Sequence, residues 1–308
     1  MTVTPATPAT PATAPPPAAT AGRSTRAAAV RTLLRNRLAV AALAFLALLL
    51  VVAVFAPLIA PDDPNAQDLL TRLEPPAWQH GGSGAHLLGT DQLGRDMLSR
   101  VLYGTRVSLL VGASAALLAG LVGTLVGLAS GYLGGWPDRV LMRLADVQLA
   151  FPAILLALAI VGFLGSGLWY VILVLGFTGW VSYARVVRSE VLSLRSRDFV
   201  TEARAIGATD PAIMRRHLLP NVMAPLATIG TLHIAAAIVA EASLSYLGLG
   251  VPKETVTWGS MLADGQLYLG TSWWVAVFPG VALMLTSLAV NITGDALRDV
   301  ADPKAYRR

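Results

Sequence analysis

Leu38 to Ala60, LAVAALAFLALLLVVAVFAPLIA, is a run of 23 residues without a charge. As an α-helix it extends about 34 Å, enough to cross a hydrocarbon core of about 30 Å. Arg23, Arg26, Arg31, Arg35 and Arg37 precede it, as basic residues precede the apolar core of a secretory signal. The run is too long for such a core, and Pro57-Leu58-Ile59-Ala60 offers no small-x-small cleavage site, so the sequence predicts a retained membrane span.

The same criterion predicts five more spans, over about 107–133, 147–164, 168–184, 222–249 and 273–294. Pro152, Pro225 and Pro279 fall inside them; proline is tolerated there because neighbouring helices satisfy the freed carbonyls. Only Gly165-Ser166-Gly167 separates the third and fourth spans, which predicts a tight antiparallel pair. Residues 1–28, with prolines among alanine and threonine, cannot bury a core and are expected to be a disordered tail. The expected architecture is an all-α integral membrane protein with one six-helix domain over 29–308.

Composition agrees. Of 308 residues 55% are hydrophobic and 13% charged, half the charge of a typical soluble domain, leaving too little polar surface for a water-soluble particle. With no cysteine there is no disulfide framework, thiolate metal site or cysteine nucleophile. The formal net charge of +5 comes from 23 basic and 18 acidic side chains. Between the predicted spans, 18 basic residues collect on the side of the two termini and 5 on the other (Arg72, Arg95, Arg100, Arg106 and Lys253). The positive-inside rule therefore predicts a multi-pass plasma (inner) membrane protein with both termini cytoplasmic. It assigns the excess charge to the membrane's inner face rather than to nucleic acid.

Within the second span Gly123, Gly127 and Gly131 repeat every fourth residue, with Gly120 beside them. They make a small-residue face for close helix packing, within the chain in preference to a dimer seam. The 185–221 loop, with seven arginines, is too basic for lipid and reads as helix, turn, helix. Arg185 to Leu192 continues the fourth span. Thr201 to Ile206 forms a short helix closed by Gly207. Thr209 or Asp210 caps a third, with Pro211 in its first turn and Pro220 as its stop. Such a short helix suits insertion into a partner's groove; binding of anionic headgroups by the loop is the simpler alternative. On the other side, Asp91, Arg95, Asp96 and Arg100 alternate in sign at helical spacing, so the pairs Asp91–Arg95 and Asp96–Arg100 are expected on a solvated external helix. Glu241 is the one acidic residue inside a span and marks a functional or bracing position near the outer mouth. His233, with no second ligand at metal spacing, reads as a hydrogen-bonded interhelical residue. No P-loop, H-E-x-x-H or G-x-S-x-G occurs, so the chain is not expected to be an enzyme or to bind a cofactor.

Thr201-Glu202-Ala203-Arg204-Ala205-Ile206-Gly207, nine residues, then His217-Leu218-Leu219-Pro220 resembles the EAA loop of ABC-importer permeases. Two positions depart from it: Thr201 stands where a glutamate is usual, and His217 replaces a hydrophobic residue. Three further stretches narrow the resemblance to the dipeptide/oligopeptide/nickel permease family and to its second, C-type subunit. They are His86 to Arg100, Glu241 to Gly250 with Trp258-Gly259, and Asn291 to Asp299 with Asp302-Pro303. The resemblance implies a type I importer permease and a coupling loop made of Thr201, Glu202, Ala203, Arg204, Gly207, Arg216, His217, Leu219 and Pro220. It also implies a sister permease, two ATP-binding subunits on the cytoplasmic side that hold the ATP, and an external substrate-binding protein. Glu241, Asp91, Arg95, Asp96 and Arg100 are the candidates for the external gate or path. Small peptides, nickel chelates and glutathione-like compounds are the implied substrates. A stand-alone secondary transporter or channel is the alternative, although apart from Glu241 the spans lack the charges that ion coupling needs.

Overall fold

The computed structural model describes residues 36–252 and 254–301. The expected tail over 1–28, Lys253 and the Asp302-Pro303 part of the C-terminal motif lie outside them. Every regular element among the described residues is helical, apart from one isolated bridge between Thr90 and Asp96. Five helices are long and apolar enough to cross a membrane: α1 (Arg37–Ile59), α2 (Met97–Leu133), α5 (Leu168–Leu194), α7 (Asp210–Tyr246) and α9 (Trp274–Ala301). A sixth crossing is a bent pair, α3 (Gly135–Leu149) and α4 (Ala153–Leu164), whose axes meet at 89°. Among the described residues two short α-helices lie outside the spans, α6 (Asp198–Ala205) and α8 (Trp258–Gly265), with 3-10 turns at Leu69–Thr71 and Gln266–Tyr268.

The helix starts follow from local chemistry. The Asn36 side chain accepts from the N–H groups of Leu38 and Ala39 at the head of α1, and Asp96 accepts from Ser99 N–H at the head of α2. A capping box of Thr257 and Ser260 opens α8. The second and fourth expected spans lengthen: α2 begins ten residues earlier, at Met97, and α5 runs on to Leu194.

The third span, read over 147–164 with Pro152 as a tolerated interruption, is broken there into two helices. Pro152 has no N–H and drives Phe151 out of helical backbone, so one helix ends at Leu149 and the next starts at Ala153. The basic stretch over 134–146, expected as a loop, is helical and forms most of α3.

Pro220 does not stop the third loop helix. The chain passes through Met214–Leu218 as a π-turn and continues into the long segment of α7. The wider turn moves aside the carbonyl that a proline ring would strike in a regular helix.

The glycine ladder packs within the chain. Gly123 faces the backbone of Trp180 and the Cβ of Tyr183, Gly127 faces Ala184 and Val187, and Gly131 faces Val191. These contacts make α2 and α5 parallel neighbours. Helix α3 runs back along the second half of α5: Asp138 binds Arg188 through two bonds of 2.6 and 2.7 Å, Asp146 binds Arg185 at 2.7 Å, and Gln148 donates to the Thr178 carbonyl at 2.8 Å. The α3–α4 break is therefore level with the middle of α5. His233 also sits there, its ring 5.3 Å from that of Tyr183 and edge-on. Its Nδ1 has no partner, so packing holds it rather than the expected hydrogen bond.

Candidate coupling hairpin and loop-end charge cluster

At one end of the bundle, residues 198–218 form a hairpin. Helix α6 ends at Ala205, and Gly207 reverses the chain at φ +87°, a left-handed conformation that penalises any side chain. The hairpin is anchored from below by Val200, Ala203, Ile213 and Leu218, all buried against Val187 and Val191 of α5. Its outer surface presents Thr201, Glu202, Arg204, Gly207, Arg216 and Pro220, all exposed. His217 is half-buried beside Phe199, with ring centroids 6.3 Å apart, and Leu219 is also half-buried. At the tip Ile206 is 86% exposed, a large apolar side chain that nothing among the described residues covers.

Sequence reasoning missed the residue that ties the hairpin to the bundle. Tyr132, one turn past Leu128 on α2, donates to Asp210 Oδ1 at 2.6 Å and accepts from Arg204 at 3.0 Å. The Arg204 guanidinium also lies over the ring, 5.6 Å from its centre. Asp210 thus spends its carboxylate on Tyr132 instead of capping its own helix, and no side chain caps that helix. A tyrosine in the last turn of a glycine-rich helix carries no sequence signal for such a role. Beside it Ser130 donates to Asp138, which also binds Arg188, and Arg195 donates to the Gly131 carbonyl at 3.2 Å. Three consecutive residues of α2 therefore hold α3, α5 and the hairpin.

The other end of α2, about 54 Å away at 1.5 Å per residue, carries the charge cluster. The Asp91–Arg95 pair forms as expected, with Nε to Oδ2 at 2.6 Å. The Asp96–Arg100 pair does not. The 89–96 segment is a turn, so Arg100 reaches Asp91 at 3.5 Å and Asp264 at 3.8 Å. Asp96 caps α2 and meets His86 at 3.2 Å. The expected solvated helix is corrected too: Asp91, Arg95, Asp96 and Arg100 are all buried. Asp264 of α8, 169 residues from Arg95, contacts it at 3.3 Å. Arg95, Arg100, Glu254 and Asp264 face a polar cleft of about 640 Å³. Glu241 is enclosed by protein. It is wholly buried in α7, with Oε1 accepting from Ser245 at 2.7 Å and Oε2 unpartnered.

This architecture has the fold of an ABC-transporter membrane component. It superposes on two inward-facing crystal forms of the MetNI methionine ABC transporter with TM-scores of 0.55 and 0.54, at 21% identity, over 66% of this chain and 97% of that one. Residues 123–307 match the family described as binding-protein-dependent transport system inner membrane component, and residues 24–76 match the N-terminal transmembrane domain of oligopeptide transport permease C. The chain belongs to the binding-protein-dependent transport system inner membrane component family, as a peptide-permease type of membrane subunit. It is 43% identical to the di/tripeptide transport system permease protein DppC of Pseudomonas aeruginosa over 87% of this chain and 89% of that protein. It is 44% identical to the dipeptide permease DppC of Escherichia coli (88% and 90% covered) and 41% identical to the glutathione permease GsiD of Pectobacterium atrosepticum (89% of each). These relatives are transport permeases rather than enzymes. Family membership places this chain in the inner membrane, within a transport system of several subunits, and disfavours the stand-alone transporter or channel.

Proposed function

We propose that this chain and a sister permease together form the path for short peptides. Two ATP-binding subunits drive the pair from the cytoplasmic side, where both termini lie, and an external binding protein loads it from the other. ATP is held entirely by those partners. The names of the relatives support peptides ahead of nickel chelates, with glutathione-like compounds next, since glutathione is itself a peptide.

One observation carries the energy-coupling part of this reading: the hairpin with exposed Ile206 at its tip and Tyr132 at its root. An uncovered isoleucine between exposed Glu202 and Gly207 is chemically suited to an apolar groove with a polar rim. Motion of a seated hairpin reaches α2 through the Arg204–Tyr132–Asp210 bonds, and through α2 it reaches the charge cluster at the outer end. The cycle is alternating access: ATP closes the partner subunits, the hairpins move, and the permease halves rock to open outward.

The test is capture of the ATPase subunits by a tagged form of this chain from native membranes. Gly207→Asp forces a side chain into the left-handed turn and is expected to cut the recovered ATPase several-fold while the permease itself stays folded. Equal recovery would remove the hairpin from the contact. Tyr132→Phe loses both bonds of the phenol oxygen to charged partners, bonds of a kind worth about 1.5–3 kcal/mol each. The complex should still assemble and hydrolyse ATP, but take up less labelled dialanine per ATP in proteoliposomes. Unchanged stoichiometry would show that Tyr132 only braces the fold.

A further inference from the structure

The break in the third span raises a question of solvation. Helix α4 starts at Ala153 with no side-chain cap, so the N–H groups of Ala153, Ile154 and Leu155 have no carbonyl behind them to bond. The segment is not hidden: Phe151 is 58%, Ile154 43% and Leu155 57% exposed. It is level with Thr178, half-way along the bundle, because Gln148 just before it binds the Thr178 carbonyl. Lipid tails offer no hydrogen bonds, and irregular backbone at that depth persists only against protein or a water-filled cavity.

A second observation points the same way. Ile154 is one wall of a groove of about 470 Å³ between α4, α7 and α9, whose polar lining is Ser243, Ser287 and Asn291. The Asn291 amide is exposed, and the Ser287 hydroxyl is buried without a partner. Gly294, one turn from Asn291, packs on Thr231 next to His233. This sets Asn291 at the same mid-bundle depth as the break. An uncovered amide, an unpaired hydroxyl and an interrupted backbone thus converge on one outward groove at the depth where hydrocarbon is least able to solvate them.

We infer that the groove between α4, α7 and α9 is this chain's wall of the translocation path, with Ile154 and Asn291 facing water and the permeating solute. This deepens the permease reading and rests on it. The groove offers the amide donor and acceptor of Asn291 and the apolar surface of Ile154. That mixture suits the alternating amides and side chains of a short peptide, held loosely enough to leave.

The absence of cysteine from the chain makes the test direct. Ile154→Cys and Asn291→Cys are introduced singly, with Leu48→Cys on the exposed mid-length face of α1 as the control. The complex, purified through this chain and placed in lipid nanodiscs, is treated with a cationic methanethiosulfonate, and adducts are read from the mass of this chain. Because the thiolate is the reacting species and apolar surroundings suppress it, both sites should react about tenfold or more faster than Leu48→Cys. Modified Asn291→Cys complex should also lose most of its dialanine uptake. If both cysteines stay as inert as Leu48→Cys, with and without ATP, the groove faces lipid or a partner and the inference fails. ATP-dependent uptake by the parent complex separates the two readings. A parent that transports while both cysteines stay inert overturns the groove alone; one that transports without its ATPases overturns the permease reading.

Discussion

Gly123→Leu should leave almost no stably folded chain in mild detergent. A Cβ at this position would lie 2.4 Å from the Trp180 carbonyl oxygen and 2.5 Å from the Tyr183 Cβ, and the remaining leucine carbons would reach further into the same space. Because the first obstacle is backbone, no rotamer change relieves it, and α2 and α5 must separate. Gly127 and Gly131 on the next rungs are also tight, at 2.6 and 2.9 Å, so separation at one rung loosens the others. Overpacking typically costs about 1–3 kcal/mol, and more where backbone must shift. In a bilayer, where close packing is itself what associates helices, the upper end applies. The comparison is Gly162→Ala in α4, where a new Cβ meets nothing within 4 Å; it should be neutral or slightly stabilising. The readout is the monodisperse fraction surviving a temperature ramp. Similar midpoints for the two variants would mean that the α2–α5 seam is not this tight.

That seam was legible from the sequence, since small residues every fourth position leave few packing alternatives. The apolar runs were legible for the same kind of reason: twenty uncharged residues have few other places to go. Hydropathy, however, records composition and not direction. Pro152 therefore read as a tolerated kink when it in fact turns the chain by 89°. Local spacing likewise found Asp91–Arg95 but misassigned Arg100, because Asp96 turns its carboxylate to the Ser99 N–H as the cap of α2 and the turn before it brings Asp91 to Arg100. Gly94 makes that turn at φ +72°, where a Cβ would overlap the Asp68 backbone. Contacts distant in sequence left no trace at all. Asp264 on the two arginines, and Tyr132 between Arg204 and Asp210, are products of tertiary packing. The hairpin was found because its motif lies within twenty consecutive residues.

The loop-end cluster yields the second large effect. Asp91 is 1% exposed and serves two functions through its two oxygens. Oδ1 accepts from the N–H groups of Leu93 and Arg95, at 2.8 and 3.0 Å, and so fixes the turn. Oδ2 faces the Nε atoms of Arg95 and Arg100, at 2.6 and 3.5 Å. Asp91→Ala removes both, leaving two buried guanidiniums to share Asp264, whose side chain is 39% exposed. Stranding a buried charge costs about 3–5 kcal/mol, so the complex should lose much of its thermal stability. The loss should vary little with salt, because buried pairs are poorly screened. Asp91→Asn keeps an oxygen for the turn and should fall between alanine and wild type. The informative variant is Asp91→Ala combined with Arg100→Leu. If the damage comes from an unpaired cation, deleting one cation should return part of the lost stability. If it comes from the turn, the double variant should be no better than Asp91→Ala. Recovery in the double variant would make the cluster an electrostatic clamp between the head of α2 and α8. A clamp of that kind would hold one end of the helix whose other end is bonded to the hairpin through Tyr132.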